Sequence, residues 1–337
     1  MVLPFAVSAQ AADPALETAT TSPLAIVSQI ELPAYNGDFD HFAYDLSGQK
    51  LFLAAEDHDT LEVFKLGSLE HLKTVKGPIG TPHSQLFMGD IHKLLITETG
   101  KSLSHYVSTE SYAYEGALKL VQGADSMGYD APRNRAYIVT GGKDVLITES
   151  WLEQVNPRTG QFINHARLDS VNAQAMAIEQ NGHRLFLNIT DKNYISVRDK
   201  ETLAETARWP VTAAQQNCCF AMDEAHHRLF LVTRAPGKIL VLNSANGATL
   251  ATFDAPARVD QVLWDEKHQR VYVIGGEGWI TVLQENTPDS YSDLPKLVTA
   301  PGTKTGVLVP ERSELYVAVS PGETKAMARV LRISTEN

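Results

Sequence analysis

The chain is poor in several of the features that usually reveal a function. Cysteine is nearly absent: in 337 residues there are two, Cys218 and Cys219, and they are adjacent. That pattern excludes a disulfide framework and C-x-x-C metal spacing. Two small thiols buried at a strand start is the favoured reading. A vicinal disulfide, which would close a strained ring in an oxidising compartment, stays open. No stretch approaches the roughly 18 apolar residues of a membrane span, so no span is expected and the mature chain reads as soluble. No segment longer than about ten residues shows convincing helical periodicity. Basic residues are in deficit, 29 Lys and Arg against 40 Asp and Glu, for a formal net charge of -11. Nucleic acid and anionic membranes both call for a basic surface, so this balance weighs against either as a partner, although a local basic patch remains compatible with it. Neither a G-x-S-x-G nor an H-E-x-x-H motif appears, so no catalytic residue is assigned. Gly275, Gly276 and Gly278 make a glycine-rich stretch, but it lies between two strands. A phosphate loop needs a helix N-terminus behind it.

What the chain does have is repetition. A short apolar strand, a polar turn and a second apolar strand recur seven times, most clearly from Phe220 to Val232. The first strands end at Asp45, Met88, Asp130, Glu179, Asp223, Asp265 and Pro310. Their spacing of about 42 to 49 residues is the period of a four-stranded propeller blade. The second strands are near-continuous apolar runs such as Leu229, Phe230 and Leu231, which suits strands covered on both faces. Extra residues from Gly141 to Trp151 lengthen the third repeat, and the last repeat stops near Ile333 with no room for a fourth strand. An orphan strand over residues 24–32 precedes the first repeat. Supplying the missing outer strand of the last blade would close the ring and remove an open sheet edge. The expectation is an all-β protein: one seven-bladed β-propeller of four-stranded antiparallel blades over residues 23–337, present as a monomer. Residues 1–22 read as the end of a signal peptide, with the small-x-small site Ala9, Gln10, Ala11, followed by a disordered leader. Periplasmic or secreted location follows from that reading.

The repeated D-x-x-x-x-R-L-F/Y-V pattern and the late strand Ile195, Ser196, Val197, Arg198, Asp199 resemble the bacterial YncE-like, YVTN-type seven-bladed β-propellers. The resemblance spans residues 24 to 334. The Tyr-Val-Thr-Asn tetrad is degenerate, as at Tyr137 to Thr140 and Phe186 to Ile189. These motifs specify blades, not a reaction. The resemblance implies an exported protein, and it carries an association of one relative with DNA binding. The layout is also distantly similar to virginiamycin B lyase and gluconolactonase-type propellers, but none of their metal or catalytic residues can be matched here.

Ligands of propellers are usually held at one mouth of the central channel, where side chains from different blades converge on a rigid frame. Counting back equally from each anchor gives Asp40, His83, Asp125, Gln174, Cys218, Asp260 and Thr305, with Lys304 one residue earlier. The next position gives His41, Ser84, Ser126, Ala175, Cys219, Gln261 and Gly306. Asp40, His41, His83, Asp125, Gln174, Cys218, Asp260 and Lys304 are therefore the candidate ligand-binding set. Asp40, His41, His83, Asp125 and Asp260 are the side chains able to hold a divalent metal or move a proton. Glu56, Asp57, His58 and Asp59 lie on the same face and read as a solvated turn, with a cation site as the alternative. Arg234 and Trp279 belong to loops of that face. His226 and His227 fall on the opposite face and read as surface.

Three readings result. The first is an exported binding propeller that holds a small molecule, peptide or protein partner at the channel mouth. The second is a metal-assisted lyase or hydrolase built on the Asp and His residues of that mouth, and the third is DNA binding.

Overall fold

In a computed structural model, residues 21–322 and 326–336 are described. The expected export site at Ala9 to Ala11 lies outside them. Seven four-stranded antiparallel sheets form the ring. Among the described residues the only helical pieces are short 3-10 turns such as Glu56–His58, in line with the absence of helical periodicity.

The innermost strands are Phe42–Asp45, Pro82–Met88, Met127–Asp130, Ala173–Ile178, Gln215–Asp223, Val259–Asp265 and Thr303–Val309. Second strands are sandwiched between neighbouring blades, so both of their faces need apolar side chains. Leu51, Phe52, Leu53, Leu229, Phe230, Leu231, Val271, Tyr272 and Val273 are all fully buried. Outer strands such as Thr249–Asp254 face solvent on one side and alternate accordingly. The lengthened third repeat places a 3-10 turn, Lys143–Val145, between its second strand Arg135–Gly141 and third strand Ser150–Asn156.

Three of the acidic residues that mark the repeats, Asp45, Asp223 and Asp265, cap turns. Asp45 Oδ1 accepts from Gly48 N at 2.8 Å, and Asp265 Oδ1 accepts from His268 N at 3.2 Å. Asp side chains stabilise such turns by satisfying backbone donors that the ladder leaves free. The ring closes as the orphan strand suggested. Ala25–Glu31 pairs antiparallel with Arg329–Ser334, so the last blade takes its outer strand from the start of the chain. The last sheet thereby has four strands, like the other six.

One irregularity recurs near the channel and positions the site. Where each innermost strand enters its sheet, two residues oppose one on the second strand. Asp40 N donates to Ala54 O while Ala54 N donates to His41 O. Asp125 and Ser126 face Val139 in the same way. Register shifts fall between Asn217 and Cys219, Val259 and Gln261, and Thr303 and Thr305, leaving Cys218, Asp260 and Lys304 as the extra residues. Further shifts bracket His83 and Gln174. A bulge turns its extra side chain out of the alternation, and here it turns one per blade toward the axis.

Candidate functional site at the channel mouth

The bulges bring Asp40, His83, Asp125, Gln174, Cys218, Asp260 and Lys304 around a single cavity of about 170 Å³, one side chain from each of the seven blades. His41, Glu56, Ser126, Ala175, Cys219 and Arg234 complete its wall. Beneath it a chamber of about 230 Å³ is lined by the next ring, His41, Ser84, Ser126, Ala175, Cys219, Gln261 and Gly306. The count from the last anchor needs correcting by one residue. The final rung of that sheet pairs Val309 with Glu314, whereas blade six ends on Asp265 and Arg270. Val309 is therefore the equivalent of Asp265. Lys304 takes the mouth position and Thr305 is buried.

On one side of the mouth His83 is the centre. Its Nδ1 donates to Asp40 Oδ2 and lies 3.5 Å from Asp125 Oδ1. Its Nε2 is 3.1 Å from Thr99 Oγ1 and 3.8 Å from Glu56 Oε1. His41 Nε2 stands 3.6 Å from the other oxygen of Asp40. Burial alone would push the His83 pKa down, but Asp40, Asp125 and Glu56 reverse that and raise it to about 10. His83 is thus an imidazolium at neutral pH. Burial acts in the opposite direction on Asp40, upward, yet His41 and His83 outweigh it and hold the carboxyl well below its usual range. Burial pushes Glu56 up to about 7, against the pull of His83, and raises Asp125 with the same opposition.

On the other side Asp260 is the centre. It pairs with Arg234, and Lys304 Nζ lies 3.1 Å from its Oδ2. Lys304 also donates to Asp38 Oδ2 at 2.9 Å, and Arg234 anchors itself on Val259 O at 2.7 and 2.9 Å. Burial would lower the Lys304 pKa; Asp260 and Asp38 more than reverse it. Between the two sides sit Gln174, whose amide donates to Asn172 Oδ1 at 3.2 Å, and the cysteines. Cys218 and Cys219 are free and buried, each 3.5 Å from Val259 O. Burial pushes the Cys219 thiol well above its ordinary pKa, so it is no nucleophile at neutral pH.

The metal candidates do not act as one set. Asp40 and Asp125 gather on His83, while Asp260 is committed to Arg234 and Lys304. Asp40, Glu56 and His83 do bring donor atoms within 4.8 Å of one another, but a protonated imidazole already occupies the place of a cation there. Glu56, expected on a solvated turn, points into the mouth. The rest of that turn is structural: Asp57 Oδ2 accepts from Asp38 N at 2.8 Å and Asp59 Oδ1 from Thr81 N at 2.7 Å. Arg234 lines the mouth as its loop position suggested, whereas Trp279 is outside the lining and lies under Lys296 at 5.2 Å. Asp38 and Thr99 were not singled out from sequence. Thr99 stands six residues after the start of its second strand, as Glu56 and Arg234 do in theirs, so the repeat could have found it, whereas Asp38 lies in the loop before the mouth ring. A larger hollow of about 700 Å³ opens at the rim near Tyr35 and His58, but it draws only on blade one and the closing strand.

No protein-family model and no curated protein sequence matches the chain. Solved structures do resemble it. A chain of the Kuenenia stuttgartiensis hydrazine synthase superposes with a TM-score of 0.71 at 11% identity, covering 88% of this chain and 97% of that one. A chain of a mitotic checkpoint complex gives 0.73 at 14% identity, with 99% of each covered. A functionally unknown protein from Desulfotomaculum acetoxidans gives 0.67 at 14% identity, covering 78% and 87%. At these identities the likeness is one of fold.

Proposed function

We propose that this chain is an exported, monomeric binding propeller that holds a small polar molecule at its channel mouth. The observation that carries the reading is the convergence of one bulged side chain from every blade on a cavity of about 170 Å³. A rigid site of that size, built from paired charges and the Gln174 amide, suits a compact ligand with polar groups on opposite sides. An acidic group would face Arg234 and Lys304, and donor groups would face Glu56 and Asp125. The YncE-like character of the repeats and the small-x-small site at Ala9 to Ala11 support export. DNA binding draws no support from the mouth, where the carboxylates of Asp40, Glu56, Asp125 and Asp260 outnumber Arg234 and Lys304 and leave no basic surface for a polyanion.

A thermal-shift screen of the full chain against amino acids, small carboxylic acids and amines tests the reading. A compound of one of these classes should raise Tm in the wild type and fail to do so in both Gln174→Ala and Arg234→Met. No response from any class, or a response that survives both substitutions, overturns it. The metal-assisted enzyme is favoured only by the grouping of Asp40, Glu56 and His83. It requires that a divalent ion displace the His83 proton, which costs about 1.4 kcal/mol for each pH unit between the working pH and the pKa.

A further inference from the structure

The face opposite the mouth carries the turn-capping carboxylates, and two joints between neighbouring blades differ there in one position. At the end of the third strand of blade four, Lys200 N donates to His183 O at 2.9 Å. In blade six Glu285 N donates to Gln269 O at 2.8 Å, so Lys200 and Glu285 hold the same backbone position. Lys200 is fully buried. Its ammonium pairs with Asp130 of the preceding blade at 2.9 Å and donates to Glu179 O. In the other joint the preceding blade again offers a carboxylate, Asp223, but the partner position is acidic.

Glu285 has a side chain only 1% exposed, and its surroundings leave it unsatisfied. Its Oε2 accepts from Tyr291 OH at 3.1 Å, whereas its Oε1 has no hydrogen-bond partner. That orphan oxygen lies 3.6 Å from His226 Nδ1, which is 2.5 Å from Asp223 Oδ2. Arg228 is close but does not serve Glu285. Its guanidinium donates to His226 O, His227 O and Pro288 O and pairs with Asp289. The aspartate–histidine turn recurs in blade six at Asp265 and His268, where the third partner is the Tyr272 hydroxyl rather than a second acid. Two buried carboxylates facing one another call for a cation between them.

We propose that this joint is a metal site, in which Asp223, His226 and the free Oε1 of Glu285 bind one divalent first-row ion of the zinc or manganese type. The ion takes the place that the Lys200 ammonium holds in the other joint. The three donor atoms lie within 4.8 Å of one another. One imidazole and two carboxylates suit zinc or manganese better than calcium, which takes oxygen ligands alone. His226, 43% exposed, leaves a path for entry and for water to complete the coordination. His226 is exposed on the opposite face as expected, and a ligand role is added at that position, while His227 stays outside it.

Titrating zinc chloride, and separately manganese chloride, into the metal-free full chain by calorimetry tests the site. One ion should bind per chain, with a rise in Tm. Glu285→Gln should weaken binding by about 100-fold or more, and Glu56→Gln at the mouth should leave it unchanged. Glu285→Lys copies blade four and should abolish the metal response while the metal-free chain stays folded. Absence of binding with both ions, binding undiminished in Glu285→Gln, or loss in Glu56→Gln instead would each overturn the proposal. The last result would assign the ion to the mouth.

Discussion

On one side of the channel mouth a histidine is enclosed by carboxylates; on the other a carboxylate is enclosed by an arginine and a lysine. His83 is 11% exposed and Asp260 is 28% exposed. Both arrangements solve one problem, since a charge taken out of water must be paired. They solve it differently. Arg234 and Lys304 are cations throughout the accessible pH range, so the Asp260 side is fixed. His83 is a cation only because Asp40, Asp125 and Glu56 make it one, so its side depends on pH.

Breaking the His83 side should therefore cost most. His83→Ala leaves Asp40, 15% exposed, and Asp125, 33% exposed, without the cation they share, and a loss of about 2–3 kcal/mol is expected in urea unfolding at pH 7. The pH dependence follows from a folded-state pKa of about 10 against an ordinary 6.5. A raised cation pKa stabilises fully below the unfolded value and is lost as pH climbs through the folded one. Wild-type stability should fall across pH 6.5 to 10, and His83→Ala should flatten that slope. An unchanged slope would mean that His83 is neutral in the fold.

Asp260→Asn probes the other side and should cost less, about 1–2 kcal/mol. Arg234 keeps Val259 O, Lys304 keeps Asp38, and both remain partly solvated. It should leave the slope between pH 6.5 and 10 as in the wild type. A cost above that of His83→Ala would reverse the comparison.

The fold and the mouth were legible in the sequence to different depths. Asp45, Asp223 and Asp265 announce the blades because each caps the same turn, and the apolar second strands announce burial on both faces. The last blade misleads by one residue, because Val309 cannot cap a turn and the following Pro310 draws the eye instead. The mouth ring could be counted because the bulge falls at a fixed distance from the cap. Thr99 could have been counted in the same way from the start of its second strand, as the equivalent of Glu56 and Arg234, but its side chain is of a type that does not announce a site. Glu56 was visible as an acid, but sequence does not distinguish a carboxylate aimed at a channel from one aimed at water. The Asp223 and Glu285 pair depends on which residues meet across two blades, and neither spacing nor composition encodes that.

Glu56 gives the smallest prediction, with the opposite sign. It belongs to the His83 side but is the carboxylate that side satisfies least. Its folded pKa of about 7 exceeds the ordinary 4.5. A carboxyl whose pKa is raised by folding opposes folding once ionised, so its penalty grows from pH 4.5 to about 7 and is constant above. Glu56→Gln keeps the shape without the charge. With a quarter of the side chain exposed, screening limits the gain to about 1 kcal/mol at pH 8. At pH 4.5 the two proteins should be equally stable. A gain of the same size at both values would locate the benefit in packing rather than charge, and Glu56 would then cease to belong to the charged shell around His83.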